Sequence, residues 1–188
     1  MTRFRTARIT PLVAALLVSA CAAPQAQHQA AVPAAQAPIE IGVIAINDFH
    51  GALEPPKQTV DAPDGKGNEV SVPAGGAAWL ASAVDALKAQ HPENVVVAAG
   101  DLTSASQLAS SLYLDEPSVG VMNRIGLEFN AVGNHEFDRG WQELKRLQDG
   151  GCAKNTRFEP CQLERFEGAR YKYLAAATVM PDGSTLFP

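Results

Sequence analysis

The stretch "FNAVGNHEFDRG", Phe129 to Gly140, sets a short apolar run against a dense group of polar side chains. Asn134, His135, Glu136 and Asp138 fall within five positions, and Gly133 and Gly140 bracket them. The apolar half belongs to a strand in "LEFNAVG", so the polar half sits where that strand ends. Two upstream stretches repeat the arrangement. In "IEIGVIAINDFHG" the run Ile39 to Ile46 is nearly continuous and β-branched, the mark of a strand buried on both faces, and it stops at Asp48, His50 and Gly51. In "NVVVAAGD" a second buried strand, Val95 to Ala99, ends at Gly100 and Asp101.

Helices separate these strands. "GGAAWLASAVDALKAQHP" puts Trp79, Leu80, Ala83, Val84 and Leu87 at helical spacing, with Pro92 just past the end. "LTSASQLASSLYLDEPSVGVMNRIG" predicts helical segments, one starting near Pro117, and "GWQELKRLQDGG" a helix stopped by Gly150 and Gly151. "YKYLAAATVM" opens a fourth strand, and "DGKGN" reads as the turn of a hairpin before the first helix. Strands alternating with helices make an α/β fold with a largely parallel sheet. Ligands of such sheets sit at the carboxyl ends of the strands. Three successive strands thus deliver Asp48 and His50, then Asp101, then Asn134, His135 and Asp138 to one rim.

The 188 residues suffice for one domain with a core, and the formal charge is −5. An acidic chain is a poor match for a phosphate backbone, so no nucleic-acid polymer is expected as partner. Residues 1–20 read as an export signal: Arg3, Arg5 and Arg8 precede "ITPLVAALLVSA", an apolar run too short to span a bilayer. The run ends in "VSAC", which resembles the lipobox of bacterial lipoproteins and marks Cys21 for acylation as the mature N-terminus. The consequence is a lipid anchor on the periplasmic side of a Gram-negative membrane, the outer one if Ala22 is the sorting residue. A plain secretory signal cut nearby is the alternative. Residues 21–38, uncharged and built of Ala, Gln and Pro, form a flexible tether, and 39–188 the folded part. With Cys21 lipidated, Cys152 and Cys161 remain in an oxidising compartment, and a disulfide closing "CAKNTRFEPC" is expected. The competing metal pair lacks a neighbouring His or second Cys pair.

Carboxylates and imidazoles at strand ends suit a borderline divalent ion. Asp48 and His50, two apart, reach one ion, and an aspartate from the central strand, Asp101, can bridge two. Two ions roughly 3.5–4 Å apart clamp an in-line displacement at phosphorus. His135 is then free to protonate a leaving alkoxide, with Asp138 holding its ring.

In order and spacing, "DFHG", "AAGD" and "VGNHEFDRG" resemble the metal motifs of the calcineurin-like metallophosphoesterases. More narrowly, "GNHEFD" and the "GGAAWLA" that opens the first helix resemble the exported 5′-nucleotidase / UDP-sugar hydrolase / 2′,3′-cyclic-nucleotide phosphodiesterase branch. The resemblance covers about residues 39 to 188. It implies the N-terminal part of an αββα sandwich with a largely parallel or mixed sheet. It also implies a nucleotide or sugar-nucleotide substrate and two divalent ions, of Zn, Mn, Co or Fe. Asp48, His50 and Asp101 would ligate one ion and Asp101 and Asn134 the other, with His135 and Asp138 the catalytic dyad. In that family later histidine motifs complete both metal shells, and a separate domain grips the nucleoside. The histidines here are His28, His50, His91 and His135, so the C-terminal half and the nucleotide-binding domain are expected to be absent and this chain alone inactive. His91 reads as a solvent-side residue, and His28, in the tether, is given no role. The alternative is a truncated or catalytically dead, lipid-anchored lipoprotein that binds a metal or ligand.

Overall fold

The computed structural model describes residues 38–187; the leader, the tether, Cys21 and His28 lie outside them. In chain order the elements are β1 (Gly42–Ile46), β2 (Thr59–Pro63), β3 (Glu69–Pro73), α1 (Ala77–Gln90), β4 (Asn94–Ala98), α2 (Leu108–Ser111), α3 (Glu116–Ile125), β5 (Phe129–Ala131), α4 (Trp141–Asp149) and β6 (Lys172–Leu174). A 3₁₀ turn, His135–Phe137, follows β5.

Four strands make one sheet in the order β1-β4-β5-β6, each neighbouring pair parallel, with Val43 opposite Val95 and Ile46 opposite Ala98. The expected α/β architecture with a largely parallel sheet is therefore present. β2 and β3 pair separately as an antiparallel hairpin, and its turn is held by Asp64, whose Oδ1 accepts from the N–H groups of Lys66 (2.7 Å) and Asn68 (3.1 Å). The "DGKGN" turn forms because that aspartate satisfies the turn backbone itself.

One face of the sheet carries the core. Ile44, Val96, Ala98 and Tyr173 point into it and meet Val84 of α1, Val119, Met122 and Ile125 of α3, and Leu144 and Leu147 of α4. Each such apolar side chain, once buried, stabilises the fold by roughly 1.5–3 kcal/mol relative to exposure. The opposite face is different. Val43 is 66% exposed, and Phe129 and Leu174 are exposed as well. The expectation that Ile39 to Ile46 is buried on both faces therefore fails: Ile39 and Ile41 precede the strand and are exposed, and β1 lies at the sheet edge. A branched run reports strand propensity, whereas two-sided burial requires a second covering layer.

α1 shows a related correction. Its inward stripe is Ala77, Leu80, Ala81, Val84 and Lys88, the last donating from Nζ to the Ile125 carbonyl at 2.6 Å. Trp79 and Leu87 stand outside that stripe and are exposed. Of the residues expected at helical spacing, Leu80 and Val84 do pack inward, whereas Trp79, Ala83 and Leu87 are exposed.

α3 begins with Pro117 in its first turn and ends at Gly126, whose φ of 79° terminates the helix. α4 ends at Gly150, as its sequence predicts. Arg146 of α4, buried, donates to Glu143 (Nη2 to Oε1, 2.6 Å), to Glu116 of α3 (2.7 Å) and to the Gly151 carbonyl (3.0 Å). Glu116 also accepts from the Cys161 N–H at 3.0 Å. This network seats the loop that Cys152 and Cys161 close by their disulfide, with Cα atoms 5.6 Å apart.

Candidate metal centre

Beyond its last sheet residue, β1 continues beside the end of β4. The N–H groups of Asp48, His50 and Gly51 donate to the carbonyls of Gly100 (3.1 Å), Asp101 (3.0 Å) and Leu102 (3.1 Å). Phe49, between the two polar residues, is buried, and this anchors the loop so that Asp48 and His50 face outward. Asp48, His50 and Asp101 all adopt left-handed backbones, φ 52°, 44° and 54°. Such conformations cost L-residues of order 1–3 kcal/mol each and persist where the surroundings over-determine them.

Close approach of the β4 and β5 ends requires glycine at two positions. A Cβ on Gly100 would lie 2.6 Å from the Gly133 nitrogen, and one on Gly133 would lie 2.1 Å from Asp101 Oδ1. The vacancy at Gly133 is the space the Asp101 carboxylate occupies. That carboxylate accepts the His135 N–H at 3.0 Å through Oδ1.

Glu136 joins the two ends. Its buried carboxylate accepts four backbone N–H groups: Asp101 (2.8 Å) and Gly133 (2.7 Å) on Oε2, Leu102 (2.8 Å) and Thr103 (3.4 Å) on Oε1. Asn130, fully buried in β5, adds Oδ1 as acceptor for the Gly100 N–H at 3.1 Å. Neither residue was singled out as a holder of the site from sequence. For Glu136 a signal existed: an acid among ligand-type residues that turns inward at the strand end.

On the outward side the imidazoles are oriented by acceptors. His50 Nδ1 lies 2.9 Å from the Ser104 carbonyl, which can only accept. Nδ1 therefore carries the proton, and Nε2 keeps its lone pair for a metal. His135 Nδ1 lies 2.8 Å from Asp138 Oδ2, leaving its Nε2 free. The hydrogen bond that His135 donates to Asp138 holds its imidazole above its ordinary pKa; slight burial opposes this, and the charges of Asp138, Asp101 and Glu136 add to it. The two rings sit edge to face with centroids 4.9 Å apart.

Among the described residues, His50, Asp101 and His135 form a group whose donor atoms lie within 4.8 Å of one another. Asp48 stands beside it, with Oδ1 3.8 Å from His50 Nε2. Asn134 is exposed at the head of the 3₁₀ turn, where its backbone carbonyl accepts the Phe137 N–H at 3.1 Å. The three strand ends thus bring His50, Asp101 and His135 together, partly exposed, with Asp48 and Asp138 beside them. His135 also falls within the donor cluster, although the sequence reading kept it apart as a proton donor. His91 is exposed at the end of α1, away from this group. The donor set of imidazole nitrogen and carboxylate oxygen fits a borderline divalent cation such as Zn, Mn, Co or Fe. A cavity of 690 Å³ lies elsewhere, between α3 and the 163–168 segment, and includes none of these residues.

No family model matches the chain. Curated relatives do. An uncharacterized protein from the pqq-V 5′ region of Acinetobacter calcoaceticus is 49% identical over 166 residues, 86% of this chain and 81% of that protein. Endonuclease YhcR of Bacillus subtilis is 35% identical over 71% of this chain, and a probable 5′-nucleotidase of Treponema pallidum is 36% identical over 57%. This chain spans only 11% and 18% of those two proteins. The fold is shared with the calcineurin-like phosphoesterase YfkN of Bacillus subtilis, at a TM-score of 0.50 and 20% identity over 77% of this chain and 39% of that one. With its group of histidine and aspartate at the ends of parallel strands, the chain shares the fold of a calcineurin-like phosphoesterase and is similar in sequence to parts of proteins named 5′-nucleotidase and endonuclease.

Proposed function

We propose that these residues are part of an exported, metal-dependent phosphohydrolase that releases phosphate from nucleotides or sugar nucleotides. The observation that carries the reading is the convergence of His50, Asp101 and His135 within 4.8 Å, with His135 braced by Asp138. Asp48, His50 and Asp101 would hold one divalent ion, and Asp101 with Asn134 a second. Bound there, such ions supply Lewis acidity to phosphoryl oxygens and an activated water. Asp101, whose N–H is held by Glu136 and whose carboxylate accepts the His135 N–H, would contribute that carboxylate as a ligand to the ions. Asp138 fixes Nδ1 of His135, so Nε2 is the atom that delivers a proton to the leaving alkoxide as the phosphorus–oxygen bond breaks. The hydrogen bond to Asp138 raises the His135 pKa above its ordinary value, which favours the protonated, donating form. Cys21 carries a lipid anchor in this reading, and the uncharged tether holds the domain off the membrane.

The test has two parts. Titration of the purified 188-residue chain with Mn²⁺, Zn²⁺ and Co²⁺ should show saturable binding that Asp101→Ala removes. The full-length protein, stripped with chelator and reloaded, should release phosphate from AMP and a sugar nucleotide. No ion binding at all defeats the metal centre. Binding without hydrolysis of any nucleotide favours the alternative, a lipid-anchored metal-binding lipoprotein that has lost catalysis.

A further inference from the structure

A second buried carboxylate, Asp115, serves the loop after β4, which the rim touches through His50. It is fully buried where α3 begins, and both it and Leu114 have left-handed backbones, φ 61° and 54°. Ser104 and Ala105, on the loop after β4, are left-handed as well, φ 65° and 45°. Four such residues in two facing segments carry a strain that the contacts around them must offset.

Asp115 is the centre of those contacts. Its Oδ1 accepts the Ser110 hydroxyl at 2.6 Å, and Oδ2 accepts the Ser104 N–H at 2.9 Å. Oδ2 also accepts Nη1 of Arg139, a residue in the turn directly after Asp138. The same Nη1 reaches the Ser104 hydroxyl at 3.3 Å. Ser104 is thereby held at its N–H by Asp115 and at its side chain by Arg139. Its carbonyl, aimed by those two bonds, is the one that accepts His50 Nδ1 at 2.9 Å. The loops after β1, β4 and β5 are tied together through one ion pair, with His50 at the far end of the chain of bonds.

We propose that the Arg139–Asp115 pair is a positioning clamp that aims the Ser104 carbonyl at His50 and so selects the imidazole tautomer with a free Nε2. Only its consequence for ion affinity rests on the metal-centre reading above. Without Arg139 the strained Ser104–Ala105 turn relaxes and its carbonyl leaves Nδ1. His50 is then free to place its proton on Nε2, and that tautomer cannot ligate through Nε2. Partners that orient a ligating histidine typically change metal affinity by about 10–100-fold when removed.

The experiment compares wild type, Arg139→Gln and Arg139→Lys as the metal-free 188-residue chain, with circular dichroism as the check on folding. Nitrogen-15 spectra of the His50 ring in mildly alkaline buffer, where imidazoles are neutral, report the tautomer. Titration with Mn²⁺ and Zn²⁺ reports affinity. The expected result is an Nδ1–H tautomer in wild type, a mixture in Arg139→Gln with ion affinity lowered about 10–100-fold, and partial recovery of both in Arg139→Lys. If Arg139→Gln does not fold, Arg139→Lys alone decides, since it keeps the charge but loses the second donor geometry. An unchanged tautomer in a folded variant overturns the clamp, whatever the affinities. A tautomer shift in a chain that binds no ion at all upholds the clamp and sinks the metal reading instead.

Discussion

Glu136→Gln tests the physical account of how the two strand ends are held. The carboxylate has four partners, all N–H donors, at 2.7, 2.8, 2.8 and 3.4 Å. A glutamine of the same shape must turn its NH₂ toward one pair of them. The less costly choice puts it at the Oε1 position and orphans the N–H groups of Leu102 and Thr103, since the Thr103 bond is already the weakest. One good hydrogen bond to a carboxylate is then lost at about 1.5–3 kcal/mol, and the two survivors weaken to neutral strength. The expected destabilisation is about 3–4 kcal/mol, a large share of the roughly 5–15 kcal/mol that a domain has. Urea unfolding of the metal-free chain, followed by tryptophan fluorescence, should show the midpoint fall with the slope unchanged. A loss smaller than about 1 kcal/mol would mean that the four contacts do not determine the geometry around Asp101 and would refute the reasoning.

Further outcomes follow from the same geometry. On the proposed hydrolysis, His135→Ala should slow phosphate release from a nucleoside 5′-phosphate by roughly 10²–10⁴-fold. p-Nitrophenyl phosphate should be affected least, and bound metal should stay unchanged; metal loss would instead make His135 a ligand, as its place in the donor cluster allows. In the metal-free chain the His135 ring should titrate above its ordinary value by NMR, and Asp138→Asn should bring it back down. Because the folded value is raised, the stabilisation from this pair is complete below the unfolded pKa and disappears as pH rises through the folded one. Replacing both Cys152 and Cys161 by Ser opens a loop of sequence separation 9 and should cost about 2–3 kcal/mol in the same unfolding assay; a cost near zero would show the loop held by Arg146 and Glu116 alone. Mass spectrometry of membrane-extracted protein should find acylated Cys21, and a mature N-terminus elsewhere ends the anchor proposal.

The chain's own pattern determined the local chemistry and its order. Apolar runs that break at Asp48, Asp101 and Asn134 mark strand ends, because a strand can stop only where polar groups find water or a partner. A parallel sheet then requires those ends to share one edge. Helix stops at Gly126 and Gly150 and the Asp64 turn are likewise local, each satisfied by residues a few positions away. Tertiary structure alone decided the rest. Burial of Val43 and packing of Trp79 depend on which surfaces have a neighbour, and that is a property of layers, not of runs. The support of the site was hidden for the same reason. Glu136, Asn130 and Asp115 accept from backbone N–H groups 11 to 35 positions away, and Arg139 donates to the Asp115 and Ser104 side chains 24 and 35 positions away, at distances in sequence over which no periodicity extends. A side chain's residue type states what it can donate or accept, but only the folded chain brings it a partner.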